Sequence, residues 1–180
     1  MSETLAERIV RIAESRVGLC EILGNGRPND GQVVRDSCEW LVGDPAEFRR
    51  LYESGKLMWC VGFALTALRD AGSRQVHRLK TLRCSRLIEK AAAAEARCTG
   101  EKRARLVQVW APGATPALPG DLLLTDADRN GEPGHVVIVT VGGATLGTVG
   151  GNSGPKADRV ARVSYAATDP RLFKIIRVLG

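Results

Sequence analysis

Residues 133–153 read PGHVVIVTVGGATLGTVGGNS. His135 to Val141 is a run of β-branched residues opened by Pro133-Gly134, and Ala144 to Val149 is a second run beyond Gly142-Gly143. Such runs with glycine between them predict two antiparallel neighbours in a sheet. On either side lie further short runs rich in Val, Ile, Leu and Thr: Arg105 to Trp110, Asp121 to Thr125, Arg159 to Tyr165 and Phe173 to Leu179. The three prolines within Ala111 to Gly120 form a stiff connection between strands.

Toward the N-terminus the period changes. Leu5, Ile9, Ile12, Ala13 and Val17 fall on one helical face, with Ser2 as the expected cap. Val33, Val34, Trp40 and Leu41 predict a second helix, and Pro45 opens a third running to about Glu53. Trp59 to Ala71 is helical and stops at Gly72, and the alanine-rich Leu82 to Ala96 is the last helix. Helices first and strands second is an α+β pattern, with N-terminal helices packed on a C-terminal antiparallel β-sheet. The 180 residues suit one domain over 1–180.

The formal net charge is +6, which favours an anionic partner without choosing among nucleic acid, membrane surface and cell wall. Met1 to Val17 carries charges where a signal peptide needs an apolar core, and no run is long enough to span a bilayer. The expectation is synthesis in the cytoplasm, with action elsewhere only after release or secretion. The five cysteines form no Cys-x-x-Cys pair, and two histidines give no zinc spacing. Cys20, Cys38 and Cys84 read as buried small hydrophobes of a reducing compartment. Asp126-x-Asp128-x-Asn130-Gly131 opens like a calcium loop, but its twelfth position is Val137; it reads as a polar hairpin turn. No metal and no cofactor is expected.

Cys60 follows the loop-like Ser54-Gly55-Lys56 and opens a helix. In a first turn, unpaired N–H groups and the helix dipole favour the thiolate, the reactive form. His135 opens an apolar strand behind Gly134, where a ring can be presented at the edge of a cleft. Taken alone, a histidine in this place is more often structural. Asn152 in Gly150-Gly151-Asn152-Ser153-Gly154 lies one hairpin beyond His135. It is either a plain turn residue or an amide that orients the ring.

The ordered set Trp59-Cys60-x-x-Phe63, Pro119-Gly120-Asp121-Leu122-Leu123, Gly134-His135-Val136-x-Ile138-Val139 and Gly151-Asn152-Ser153 resembles the cysteine, histidine-dependent amidohydrolase/peptidase (CHAP) group and its NlpC-type relatives. The resemblance runs from about Val17 to Ser153. It implies a papain-like fold and a peptidoglycan hydrolase cleaving an amide bond of the peptide stem or cross-link. The nucleophile falls on Cys60, the base on His135 and the polar third member on Asn152, for which Asp158 or Ser153 could substitute. Trp59, Gly134 and Asn25 are the expected substrate-binding residues, with Asn25 or Asn29 as oxyanion donor. The expected partners are bacterial peptidoglycan and an immunity or inhibitor protein, with no nucleic acid and no membrane insertion, for a monomer. A phage lysis enzyme and a secreted antibacterial toxin both fit. An acyltransferase on the same scaffold and a non-catalytic basic wall-binding module are the alternatives. The basic segment Gln75 to Arg105 exceeds what a minimal relative needs: a lid, a wall-contacting surface, a partner site or simply a solvated helix.

Overall fold

The computed structural model describes residues 2–21, 29–55, 57–97 and 107–179. The helices come first: α1 (Leu5–Ser15), α2 (Gln32–Val42), α3 (Pro45–Glu53), α4 (Trp59–Asp70), α5 (Val76–Leu79) and α6 (Cys84–Ala96). The strands follow: β1 (Val107–Trp110), β2 (Leu122–Thr125), β3 (His135–Val141), β4 (Thr145–Ser153), β5 (Arg159–Ala166) and β6 (Leu172–Val178). They form one antiparallel sheet in the order β1-β6-β2-β3-β4-β5, so the α+β expectation holds.

The sheet has a core on each face, set by the two-residue period of its strands. Leu122, Leu124, Val136, Ile138, Val149 and Ile176 pack toward the helices. Leu123, Val137, Val139, Leu146, Tyr165 and Ile175 pack on the opposite face with Ala117 of the proline-rich connection; Trp110 lies against this second cluster. The helices sit on the first face around α4, whose residues from Trp59 to Leu68 are all buried. That explains why α4 is apolar on every side: it touches α1, α2 and α5 as well as β3 and β4. It is capped at Ala71, and Gly72 takes the left-handed conformation (φ +84°) the sequence signalled.

Two close approaches set where α4 lies. A Cβ on Gly62 would come 2.7 Å from Cys38 Sγ and 2.8 Å from the Ser37 carbonyl, so glycine lets α2 cross α4. A Cβ on Gly151 would come 2.6 Å from both Phe63 Cβ and Trp59 Cζ3, so glycine lets the start of α4 lie directly on β4.

Asp121 is buried and accepts two hydrogen bonds from the Arg177 guanidinium, at 2.9 and 2.8 Å, while Arg177 also donates to the Pro116 carbonyl. Asp121 additionally accepts from the Leu118 N–H, tying the proline-rich connection to β6. The aspartate of the Pro-Gly-Asp motif is therefore a structural clamp.

Several local expectations are corrected. Ser2 is not the cap of α1: Thr4 is, through a full capping box with Glu7. A single helical turn, α5, is too short for its periodicity to register. β4 continues past Val149 to Ser153, through residues that in isolation read as a turn. The polar segment after β2 is a hairpin turn, as read: the Asp126 carboxylate accepts from the Asn130 and Gly131 N–H groups at 3.1 and 2.8 Å. Among the described residues, no helix is long and apolar enough to cross a membrane.

Candidate active site

Cys60 is the second residue of α4. The cap residue, Met58, makes no side-chain bond to the first turn, so the N–H groups there keep their partial positive charge for the sulfur. His135 opens β3, next to the strand on which α4 rests. The two come together: the His135 ring and the Val136 N–H sit beside the Cys60 sulfur and favour its ionised form.

The thiol of Cys60 is held well below its ordinary range. The first cause is a hydrogen bond from the Cys84 thiol; burial opposes it, and the bond and charge of His135 and the Val136 N–H act in the same downward sense. Cys84, the first residue of α6, moves the other way. Its bond to Cys60, its burial and the neighbouring thiolate push its thiol up, so it keeps its proton. Cys38 is likewise pushed up, by burial and by Cys60. Of three buried thiols in one neighbourhood, only Cys60 is arranged to ionise.

The third member is not where the spacing put it. Continued in step from the Ile138–Val149 pair, the β3–β4 ladder would set Asn152 across from His135. Between Gly150 and Ser153, however, β4 shifts register against β5, and Asn152 takes φ +56°. This bulge advances the side chains by one position, a common way for a strand to re-aim a residue. The Ser153 hydroxyl stands 3.0 Å from His135 Nε2 and can donate to the Gly151 carbonyl at 3.4 Å. With Nε2 engaged, Nδ1 is the nitrogen left for the sulfur. Ser153, buried, can accept from Nε2–H while donating its own O–H to the Gly151 carbonyl, which fixes the ring's orientation. Asp158 is spent on Arg159.

The other expected residues divide. Trp59 does not line a cleft. It is wholly buried, and its Nε1–H donates to Glu21 Oε1 at 2.6 Å, because the opposite end of its ring fills the space left by Gly151. Glu21 also accepts from the Asn29 N–H, and Asn29 Nδ2 donates to the Gly55 carbonyl at 2.7 Å. Asn29 is thus a tie between the chain before α2 and the chain before α4, with its amide already employed. Asn25 lies outside the described residues. Gly134 is exposed and nothing stands within 4 Å of where its Cβ would be, so there is open space beside His135. Cys60 has no solvent-accessible surface and His135 is half-buried, so the pair faces solvent through His135 and Gly134.

The sequence reading missed the part of Cys84 and Glu21, held Ser153 only in reserve, and expected Cys20 to be buried where it is exposed, on the chain just after α1. Cys84 offered one signal: it begins a helix, as Cys60 does. Among the described residues, no group of three or more His, Cys, Asp or Glu side chains is placed to hold a metal ion.

No family model and no curated protein matches the chain. Among solved structures it is similar to the crystal structure of Ly7917, at 16% identity and a TM-score of 0.47 over 96% of this chain and 62% of that one. The crystal structure of Ly7917 with the hydrolyzing product of MDP gives 19% identity and a TM-score of 0.43, over 97% and 63%. This chain spans less than two thirds of the length of either.

Proposed function

We propose that the chain is a papain-like cysteine amidohydrolase of the CHAP/NlpC kind that cleaves an amide bond in the peptide stem or cross-link of peptidoglycan. The observation that carries the chemistry is the Cys60 sulfur in the first turn of α4 beside the His135 ring, whose Nε2 meets the Ser153 hydroxyl. The substrate class rests on the motif series and on the positive charge of the chain.

The Cys60 thiolate attacks the amide carbonyl carbon, and the π electrons move to oxygen. The Cys60 backbone N–H, at the positive end of α4, stabilises that oxyanion in this reading. Collapse breaks the C–N bond, and the imidazolium gives its Nδ1 proton to the departing amine, leaving a thioester on Cys60. Neutral His135 then takes a proton from water as it adds to the thioester. Collapse releases the carboxylic acid and restores the thiolate–imidazolium pair. Ser153 accepts from Nε2–H throughout, so the ring cannot turn away.

The test is incubation of purified peptidoglycan with the parent and with Cys60→Ala, followed by mass spectrometry of the products. New amine and carboxyl ends from the parent alone are expected, and they name the bond. No products across walls of different stem chemistry would refute the wall substrate. An acyltransferase on the same scaffold would pass the acyl group from the thioester to an amine rather than to water. An added amine appearing in the product would establish it.

A further inference from the structure

The +6 charge of the chain is unevenly placed. Residues 74–97 hold seven Lys or Arg and two Glu, a net +5. Within this segment α5 and α6 form a half-open cavity of about 350 Å³, lined by His77, Arg78, Lys90, Ala93, Ala94 and Arg97. Lys90, Ala93, Ala94 and Arg97 are spaced i, i+3, i+4 and i+7, one face of α6, and that face is turned to the α5 turn carrying His77 and Arg78. The alanines are what leave the room: two small side chains between two long cationic ones make a floor with charged walls.

No acid lines this cavity. Among the described residues no ion pair uses Arg78, Lys90 or Arg97, and the nearby Glu89 is bound to Arg86. Elsewhere arginines are neutralised locally, as in Arg50–Glu47, Arg159–Asp158 and Arg171–Asp169. Three permanent cations sharing one concavity repel one another, and an anion seated between them removes that cost.

We propose that the α5–α6 cavity is a binding site for a phosphate group, as a phosphomonoester or phosphodiester. Two guanidinium forks match the geometry of phosphate oxygens, and the Lys90 ammonium adds a compact point charge. Three fixed positive charges exceed what one carboxylate balances and suit a multiply charged or repeating anion. The volume is that of a small-ligand pocket, enough for a phosphate with a short polyol or sugar attached. From Cys84, which touches the nucleophile, to Ala94 is ten residues of α6, about 15 Å at the helical rise. The site is therefore separate from the cysteine centre and lies along the same helix.

The experiment is calorimetric titration of the whole protein with inorganic pyrophosphate. One saturable site is expected. The double variant Arg78→Glu/Arg97→Glu should bind at least about tenfold more weakly. Arg49→Glu/Arg129→Glu makes the same change in net charge at exposed positions elsewhere and should stay within about twofold of the parent. All four side chains are exposed, so circular dichroism should show an unchanged fold. No saturable binding in the parent, or an equal loss in both double variants, would overturn the site, since the attraction would then be diffuse. Glycerol phosphate and poly(glycerol phosphate), compared at equal phosphate concentration, separate the sources. A tighter polymer identifies a repeating phosphodiester; equal binding identifies a soluble ester. Cys60→Ala should bind as the parent does, so a failure of the hydrolase reading leaves this result intact.

Discussion

Replacing Gly151 by alanine tests the packing on which the whole site depends. The new Cβ would stand 2.6 Å from Phe63 Cβ and from Trp59 Cζ3, and 2.7 Å from Trp59 Cε3. Carbon atoms rest at about 3.5–4.0 Å, so about 1 Å must be found. No rotamer change supplies it. Phe63 Cβ is fixed to the α4 backbone, and the Trp59 ring is anchored at its other end by Glu21. The start of α4 must lift from β4. Overpacking of this kind costs about 1–3 kcal/mol. For a chain of 180 residues each kcal/mol moves Tm by about 2–4 °C, giving a fall of about 2–12 °C. Cys60 rides on the displaced turn while His135 stays with β3, and a misplacement of about 1 Å can cost on the order of 100-fold in rate. The control is Gly134→Ala, where nothing stands within 4 Å, and its Tm should change by no more than about 2 °C. Both variants are followed by thermal melting in circular dichroism, and Gly151→Ala also by wall hydrolysis. If the two glycine variants melt together, α4 does not lie on β4 as described, and the account of the site falls with it.

Two further outcomes are expected. Ser153→Ala removes a hydrogen bond worth about 0.5–1.5 kcal/mol, so kcat/KM on peptidoglycan should fall about two- to tenfold, with Asn152→Ala within about twofold of the parent. A larger loss for Asn152→Ala would return the third-member role to that residue. Cys84→Ala removes the donor that most strongly lowers the Cys60 thiol, so the ultraviolet absorbance of the thiolate should appear at higher pH than in the parent. The sign follows from the linkage: the thiolate is populated above the folded-state pKa, and loss of a donor to it raises that pKa. An unmoved titration would show that Cys84 does not donate to Cys60.

The α+β order, the helices α1 to α4 and α6, and the strand beginning at His135 are legible in the sequence because each depends on its own neighbours. Apolar residues recur with helical or strand spacing, and Gly72 and Pro45 mark ends by their backbone preferences. Cys60 at a helix start and His135 at a strand start are legible for the same reason. What meets them is not. The shift from Asn152 to Ser153 comes from one bulge in β4, and such an insertion leaves no mark in the hydrophobic pattern. Cys84 reaches Cys60 only because the beginning of α6 comes to the start of α4, although the two lie 24 positions apart in the sequence. Trp59 looked like a residue for a groove because a tryptophan beside a nucleophile suits either use. Gly151, far along the chain, decided the matter by giving its ring a place to sink. Local preference wrote the elements and their order. Contacts between distant segments decided the partners of the sulfur, because those depend on distances that no single segment contains.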